Sequence, residues 1–334
     1  MQSNDIPGAV VGIWSIDKQW IKAFGTSDIE SSTPMSADCR FRIGSITKTF
    51  VATVILQLVD EGRISLEDPV NHYFPELGIP NGDRITLRHL ANMTSGIGDY
   101  YGFHGFAEDT YNNPLQGFTN EELVQKAVTL SPIFEPGAMW DYSNTNFILL
   151  GMLIEKVTAS SLEEEIRTRI LDPAGLWNTC FPSTSEIAGI YSHGYFPWPL
   201  GTGLNDFTHS NPSVAWAAGA MISNLDDLRL WSEILSEGTL LSEEAYHQML
   251  QWTDVPDTEG KIRYGLGIFY MEQFTGHGGR IVGYTTSMFR IKEEDTTIIV
   301  LLNKYDDDDY VGYDTDWARQ IFWSTAKVLF PLKF

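Results

Sequence analysis

The sequence predicts an α+β fold: an antiparallel sheet drawn from both ends of the chain, with helices flanking it and filling the middle. Three observations predict it. Strand-like runs rich in Val, Ile, Phe and Trp gather before residue 25 and after residue 264. Between them, apolar residues recur mainly at helical spacing. No internal repeat or low-complexity linker divides the chain.

Taken in order, residues 9–24 read as a hairpin, with runs at 10–14 and 19–24 joined by the turn Ser15-Ile16-Asp17-Lys18. After Gly44, the residues Ile46, Phe50, Val51, Val54, Ile55, Leu58 and Val59 lie on helical spacing and predict a helix over 47–61, which Gly62 is suited to end. Further helices are expected over 120–129, 145–158, 162–171 and 225–235, the last with Asn224 as its N-cap. Gly/Pro/aromatic loops at 100–118 and 191–216 interrupt them. Strands are expected at 265–271, 284–291 and 296–303, with Glu293-Glu294-Asp295 turning between the last two, which makes five strands with the hairpin. An amphipathic helix around Phe322, Trp323, Val328 and Leu329 closes the chain.

Length and composition narrow the function. A chain of 334 residues with 43% hydrophobic residues buries a large core. Its net charge is 22 − 44 = −22, which argues against nucleic acid as a partner. The apolar run at 147–154 is far too short to span a bilayer. Cys39 and Cys180 have neither a paired neighbour nor a histidine pattern, so two free thiols are expected and no metal or cofactor. Asp306-Asp307-Asp308-Asp309 lacks the alternating ligands and glycine of a calcium loop and reads as a solvated loop. No signal peptide is visible.

Three motifs point to acyl transfer. Ser45-Ile46-Thr47-Lys48 places a serine and a lysine three residues apart, on one face of a helix. A serine hydroxyl is a weak nucleophile and needs such a base. Two other stretches match Ser-x-x-Lys: Ser15 to Lys18 and Ser324 to Lys327. Only Ser45 follows a strand-like lead, Phe41-Arg42-Ile43-Gly44, and opens a helix, where the dipole favours a developing negative charge. Tyr142-Ser143-Asn144 follows the turn Glu135-Pro136-Gly137 and precedes an apolar helix, whereas its match Tyr111-Asn112-Asn113 lies in a loop. His277-Gly278-Gly279 is the third motif; its glycines let backbone and substrate approach closely. Lys and Tyr have reference pKa values of about 10.4 and about 10, so neither is a base at neutral pH alone. Together they perturb each other, and the proton belongs to the pair.

These residues resemble the serine β-lactamase and penicillin-binding superfamily. They are most similar to the branch holding class C β-lactamases, D-alanyl-D-alanine carboxypeptidases, D-amino-acid amidases and aminopeptidases, and related esterases. Further stretches carry the resemblance: Leu56-Gln57-Leu58-Val59-Asp60-Glu61-Gly62, Leu66-Glu67-Asp68-Pro69-Val70, Ile85-Thr86-Leu87-Arg88-His89-Leu90, Thr94-Ser95-Gly96-Ile97, Pro136-Gly137 and Gly283-Tyr284. It runs from about residue 7 to about residue 304. It implies a serine β-lactamase-like (DD-peptidase) fold, a five-stranded antiparallel sheet with flanking helices plus an all-α subdomain. Residues 1–334 would form one catalytic unit, with the α/β subdomain at about 1–60 and 225–334 and the helical one at about 61–224. Family members usually begin with a helix before the first strand, so a trimmed mature form is expected, exported if a signal was removed and otherwise cytoplasmic.

The resemblance also implies roles. Ser45 is the nucleophile, Lys48 activates it, and Tyr142 carries the proton to the leaving amine. His277 counts with them as a catalytic residue, in the strand beside them, where relatives have Lys-Thr-Gly or His-x-Gly. The N–H groups of Ser45 and Arg280 form the oxyanion hole. Asn144 binds the acyl-side amide or caps its helix. Trp216 lines the acyl pocket or fills the core, and Gly278 and Gly279 border the substrate. Carboxypeptidase-like members often have Thr where Gly278 stands, so a substrate carboxylate must find its cation elsewhere, at Arg280 or Arg263. The expected activity is hydrolysis of D-amino-acid amides or peptides through an acyl-enzyme, with β-lactams acylating the same serine. The alternatives are an esterase or weak β-lactamase, or a penicillin sensor or scaffold without turnover.

Overall fold

A computed structural model describes residues 6–199, 201–305, 316–331 and 333. Among these, nine strands form one antiparallel sheet. Their spatial order is Thr33–Pro34, Lys18–Asp28, Gly8–Ser15, Thr296–Leu302, Tyr284–Ile291, Phe274–Ile281, Phe269–Met271, Ile262–Tyr264 and Thr253–Asp254. The two ends of the chain meet where Val11 pairs with Val300 and Ile13 with Ile298. Every residue of Tyr284–Ile291 and Thr296–Leu302 is buried. Both faces of these central strands are therefore covered, which explains their near-continuous apolar sequence. The helices Leu225–Glu237 and Trp317–Leu329 pack against these two strands.

The sheet is larger than the five strands expected. Only Phe269–Met271 of the 265–271 run is a strand, and Phe274–Ile281 is a long strand that apolar patterning does not disclose. Its sequence, Phe-Thr-Gly-His-Gly-Gly-Arg-Ile, contains three glycines and few of the β-branched residues that mark strands. Neighbouring strands impose the extended form: Gly278 pairs with Ser287 and Gly279 with Thr286.

The predicted helices are present with small shifts. Ser45 lies in the 3₁₀ turn Gly44–Ile46, which runs directly into the helix Thr47–Asp60. Asn120–Val128 begins with a capping box between Thr119 and Glu122. Asn144–Thr158 is almost wholly buried from Thr145 to Ile154 and packs against the Thr47–Asp60 helix. Leu162–Ile166 continues into a wider π turn at Arg167–Leu171. The Asn224 side chain caps Leu225–Glu237 by accepting the Asp227 N–H at 3.0 Å. The segment expected as a loop at 100–118 holds a short helix, Phe106–Asn112, which Phe106 and Tyr111 anchor in the interior.

Cys39 and Cys180 are free thiols. The Asp306 to Asp309 run lies outside the described residues. Among the described residues, no helix is long and apolar enough to cross a membrane, and no cluster of His, Cys, Asp or Glu is arranged to hold a metal ion.

Candidate active site

The three motifs meet at one cleft of about 910 Å³, lined by Ser45, Tyr142, Asn144, His277, Gly278, Gly279 and Arg280 among others. Ser45 reaches it because Gly44 adopts φ +52°, a left-handed turn that costs a side chain-bearing residue strain. A Cβ on Gly44 would also lie 2.6 Å from the Arg280 nitrogen, so the absence of a side chain lets the two backbones touch. Gly279 is tighter still. A Cβ there would lie 1.9 Å from the Ile43 carbonyl oxygen and 2.5 Å from Thr286 Oγ1. Thr286 Oγ1 donates to Ile43 O at 3.0 Å and so pins the strand beside the nucleophile turn.

Lys48 is fully buried. Its Nζ donates to Ser45 Oγ at 3.0 Å, Asn144 Oδ1 at 2.8 Å and the Ala218 carbonyl at 2.6 Å. Those three bonds use all the hydrogens of an ammonium. Burial lowers its pKa to about 7, against a smaller opposing pull from Asp99. Near neutrality a large share of Lys48 is therefore a neutral amine, and its lone pair faces the Ser45 hydroxyl. Nζ also lies 4.8 Å from the centre of the Tyr142 ring, which stacks on Phe269 at 6.5 Å.

His277 joins the cleft wall, but not as a proton carrier to Ser45. Its Nδ1 donates to the Gly278 carbonyl at 2.5 Å, and its Nε2 lies 3.1 Å from the Tyr264 hydroxyl. Both ring nitrogens are engaged, and burial together with the Lys48 charge holds the imidazole well below its usual pKa. The ring is a neutral structural group next to the nucleophile. Trp216 takes the second of its two expected roles and packs against the core. It does not line the cleft; its ring lies over Gly151, which has no side chain to obstruct it, and edge-on to Phe181. Val214, Ala215, Ala218 and Gly219 border the cleft in its place.

The alternative motif matches stand apart from this chemistry. Ser15 Oγ makes only a 3.5 Å contact with Lys18 O in the exposed hairpin turn, and Ser324 and Lys327 are exposed on the C-terminal helix. Tyr111 packs on Phe196 and Trp198 at 4.8 and 5.1 Å, at a part of the cleft wall built from aromatic rings.

Two residues that the sequence did not single out enter the site. Asp99 accepts hydrogen bonds from Asn144 and Tyr101. Arg319, from the Trp317–Leu329 helix, places Nη2 2.8 Å from where a Cβ on Gly278 would be. The space a larger residue would take at 278 thus holds a buried guanidinium. Of the two arginines suggested from sequence, Arg280 borders the cleft and lies 5.4 Å over Tyr305, whereas Arg263 lies over Tyr270 and is not among the lining residues. A fourth arginine shapes the wall. Buried Arg42 donates to the carbonyls of Ser185, Thr208 and Ser210 and ties down the loop that carries Ser210 and Asn211 into the cleft.

Comparison with known proteins identifies the family and the fold. Among solved structures, a D-stereospecific amidohydrolase from a Streptomyces species superimposes with a TM-score of 0.85 and 34% identity, covering 91% of each chain. Penicillin-binding protein 4* of Bacillus subtilis is 28% identical, over 92% of this chain and 70% of its own. A D-aminopeptidase of Brucella anthropi is 26% identical, over 89% of this chain but only 56% of its own length. The family model described as Beta-lactamase matches residues 1–321. With a match across nearly its whole length, this chain belongs to the Beta-lactamase family, within the serine β-lactamase and penicillin-binding superfamily of serine hydrolases.

Proposed function

We propose that this serine hydrolase cleaves amide bonds of D-amino-acid amides or D-amino-acid-containing peptides. The observation that carries the hydrolytic step is the buried Lys48, with its pKa near 7 and its Nζ 3.0 Å from Ser45 Oγ. Neutral Lys48 takes the hydroxyl proton as Oγ bonds to the substrate carbonyl carbon. The N–H groups of Ser45 and Arg280 receive the oxyanion. Tyr142 gives its proton to the leaving nitrogen as the C–N bond breaks and takes up the one held by Lys48, which restores the neutral amine. Water then adds to the ester by the same route reversed, releasing the acid and restoring Ser45. The D-aminoacyl preference draws support from the 34% identical Streptomyces protein and from the D-aminopeptidases among the relatives.

One observation favours a second reading within the same chemistry. Arg319 beside Gly278 offers a guanidinium for a free C-terminal carboxylate, the group a D-alanyl-D-alanine carboxypeptidase must hold. A panel of D- and L-alaninamide, D- and L-phenylalaninamide, a D-alanyl-D-alanine peptide, p-nitrophenyl acetate and nitrocefin separates the readings. Turnover of D-amides roughly 100-fold or more above their L forms supports the proposal. Preference for the peptide acid, lost in Arg319→Ala, supports the carboxypeptidase. Stable penicillin labelling with no turnover of any substrate defeats both and leaves a sensor.

A further inference from the structure

Lys48 is held by three acceptors, and one of them, the Asn144 amide, has an orientation that must itself be fixed. An amide is nearly symmetric in outline, and turned about its axis it would aim an NH₂ group at the lysine. Asp99 prevents this. Its Oδ2 accepts both the Asn144 side-chain N–H at 2.7 Å and the Asn144 backbone N–H at 3.1 Å, while Oδ1 accepts the Tyr101 N–H at 3.1 Å. Burial pushes the Asp99 pKa up, but every partner of the carboxyl is a donor, and these donors together with the Lys48 charge pull it back and favour the carboxylate. With a carboxylate on one side and an ammonium on the other, the amide has one favourable orientation: NH₂ to Asp99, oxygen to Lys48.

The same carboxylate substitutes for a missing cap. Ser143 occupies the N-cap of the Asn144–Thr158 helix, but its side chain makes no capping bond. Asp99 takes the first N–H from outside the helix, where a negative charge is favoured. The clamp is reinforced alongside it: Thr145 Oγ1 donates to Gly98 O at 2.8 Å and accepts the Tyr100 N–H at 3.1 Å. A single segment, 98–101, thus seats the helix that carries Asn144 against the helix that carries Lys48.

We infer that Asp99 is a positioning residue for the Ser45–Lys48 pair, orienting Asn144 toward Lys48 and setting a negative charge behind the ammonium. The inference rests on Ser45 and Lys48 being the reacting pair, not on the identity of the substrate. Beyond capping a helix, this role fixes how readily Lys48 gives up its proton. The other groups around Lys48 are Tyr142, the neutral His277 and, past His277, the Arg319 cation. All three are untouched by a change at Asp99.

The test is acylation of Ser45 by p-nitrophenyl acetate, read as the burst of p-nitrophenolate between pH 5 and 9. This probe needs only a working nucleophile, so it reports on Asp99 even if D-amino-acid amides prove not to be substrates. In Asp99→Asn the plateau rate should fall roughly 10- to 100-fold, the scale for losing a supporting partner. Its acid limb should also move down by on the order of one pH unit, because loss of the nearby anion disfavours the charged lysine. Asp99→Glu keeps the charge while disturbing the geometry, so its plateau should fall with the limb at the wild-type position. Asp99→Ser, which retains a neutral capping oxygen, replaces Asp99→Asn if that variant melts below the assay temperature, and should move the limb likewise. An acid limb at the same pH in the charged and neutral variants overturns the proposal and leaves Asp99 as a helix cap alone.

Discussion

Gly279→Ala tests how closely the His277-Gly278-Gly279 strand must approach the nucleophile. The added Cβ would lie 1.9 Å from Ile43 O. A tolerable carbon–oxygen contact begins at roughly 3.3 Å. The strand must therefore retreat by roughly 1.4 Å, or the Ile43-Gly44 turn must. The second clash, 2.5 Å to Thr286 Oγ1, closes the easy sideways escape, because that hydroxyl already bridges Ile43 O and Gly279 O. Arg280 follows directly, and its N–H must stay about 3 Å from the oxyanion to serve it. A displacement of 1 Å near the reacting atoms costs about 100-fold, as does removal of one oxyanion donor. The expected result is a fall in kcat of about 100-fold or more with a smaller change in KM. Steady-state kinetics on the best amide, with a thermal melt to confirm folding, measures it. Gly102→Ala is the control: that glycine also borders the cleft, yet a Cβ there meets nothing within 4 Å, and its kcat should be unchanged. Wild-type kcat in folded Gly279→Ala would refute the claim that this contact sets the oxyanion geometry.

Ser45→Ala should abolish labelling by a fluorescent penicillin while Ser15→Ala and Ser324→Ala leave it intact; peptide mapping of the adduct decides. Lys48→Ala and Tyr142→Phe should each lower turnover by roughly 100- to 10,000-fold, with the double variant far from the product of the two losses because they handle one proton. Lys48 is the base only when neutral, and burial brings its pKa down to about 7, so kcat/KM should rise with pH through about 7. At pH 6 about a tenth of the plateau should remain; a flat profile from pH 5 to 8 would remove Lys48 as the base. Arg319→Ala should raise KM for peptide acids and leave that for amides nearly unchanged if its guanidinium binds a carboxylate.

The parts of the fold legible in the sequence are those whose signal is local. The Thr47–Asp60 and Asn144–Thr158 helices carry long apolar repeats, and the Tyr284–Ile291 and Thr296–Leu302 strands are runs of residues that prefer strands. Phe274–Ile281 was hidden because its glycines weaken every local strand signal. The structure gives those glycines another purpose. At Gly279, contact with the nucleophile turn excludes any side chain, so the residue that obscures the strand is the one that lets it reach the site.

The site divides in the same way. Ser45 and Lys48 are one helical turn apart, and Tyr142 precedes Asn144 by two residues, so short motifs reveal them. Trp216 sits within four residues of four lining positions, but which way its ring turns depends on the vacancy at Gly151, 65 positions earlier. Asp99 and Arg319 have no motif at all. Asp99 meets Asn144 across 45 positions, and Arg319 comes to Gly278 only because the C-terminal helix packs on the sheet. The sequence shows a small residue at 278 and invites the conclusion that a carboxylate would find no partner there. The structure puts a guanidinium beside that position: the small residue is what leaves room for Arg319. A larger side chain at 278 and Arg319 in this position exclude each other, so Gly278→Thr should not simply add a hydroxyl to the cleft but must displace Arg319 as well. Its effect on peptide acids therefore depends on which of the two groups holds the carboxylate better. Comparing Gly278→Thr with Gly278→Thr/Arg319→Ala isolates that difference: if Arg319 still contributes from a displaced position, the double variant binds peptide acids more weakly than the single, and if the threonine has replaced it, the two are equal.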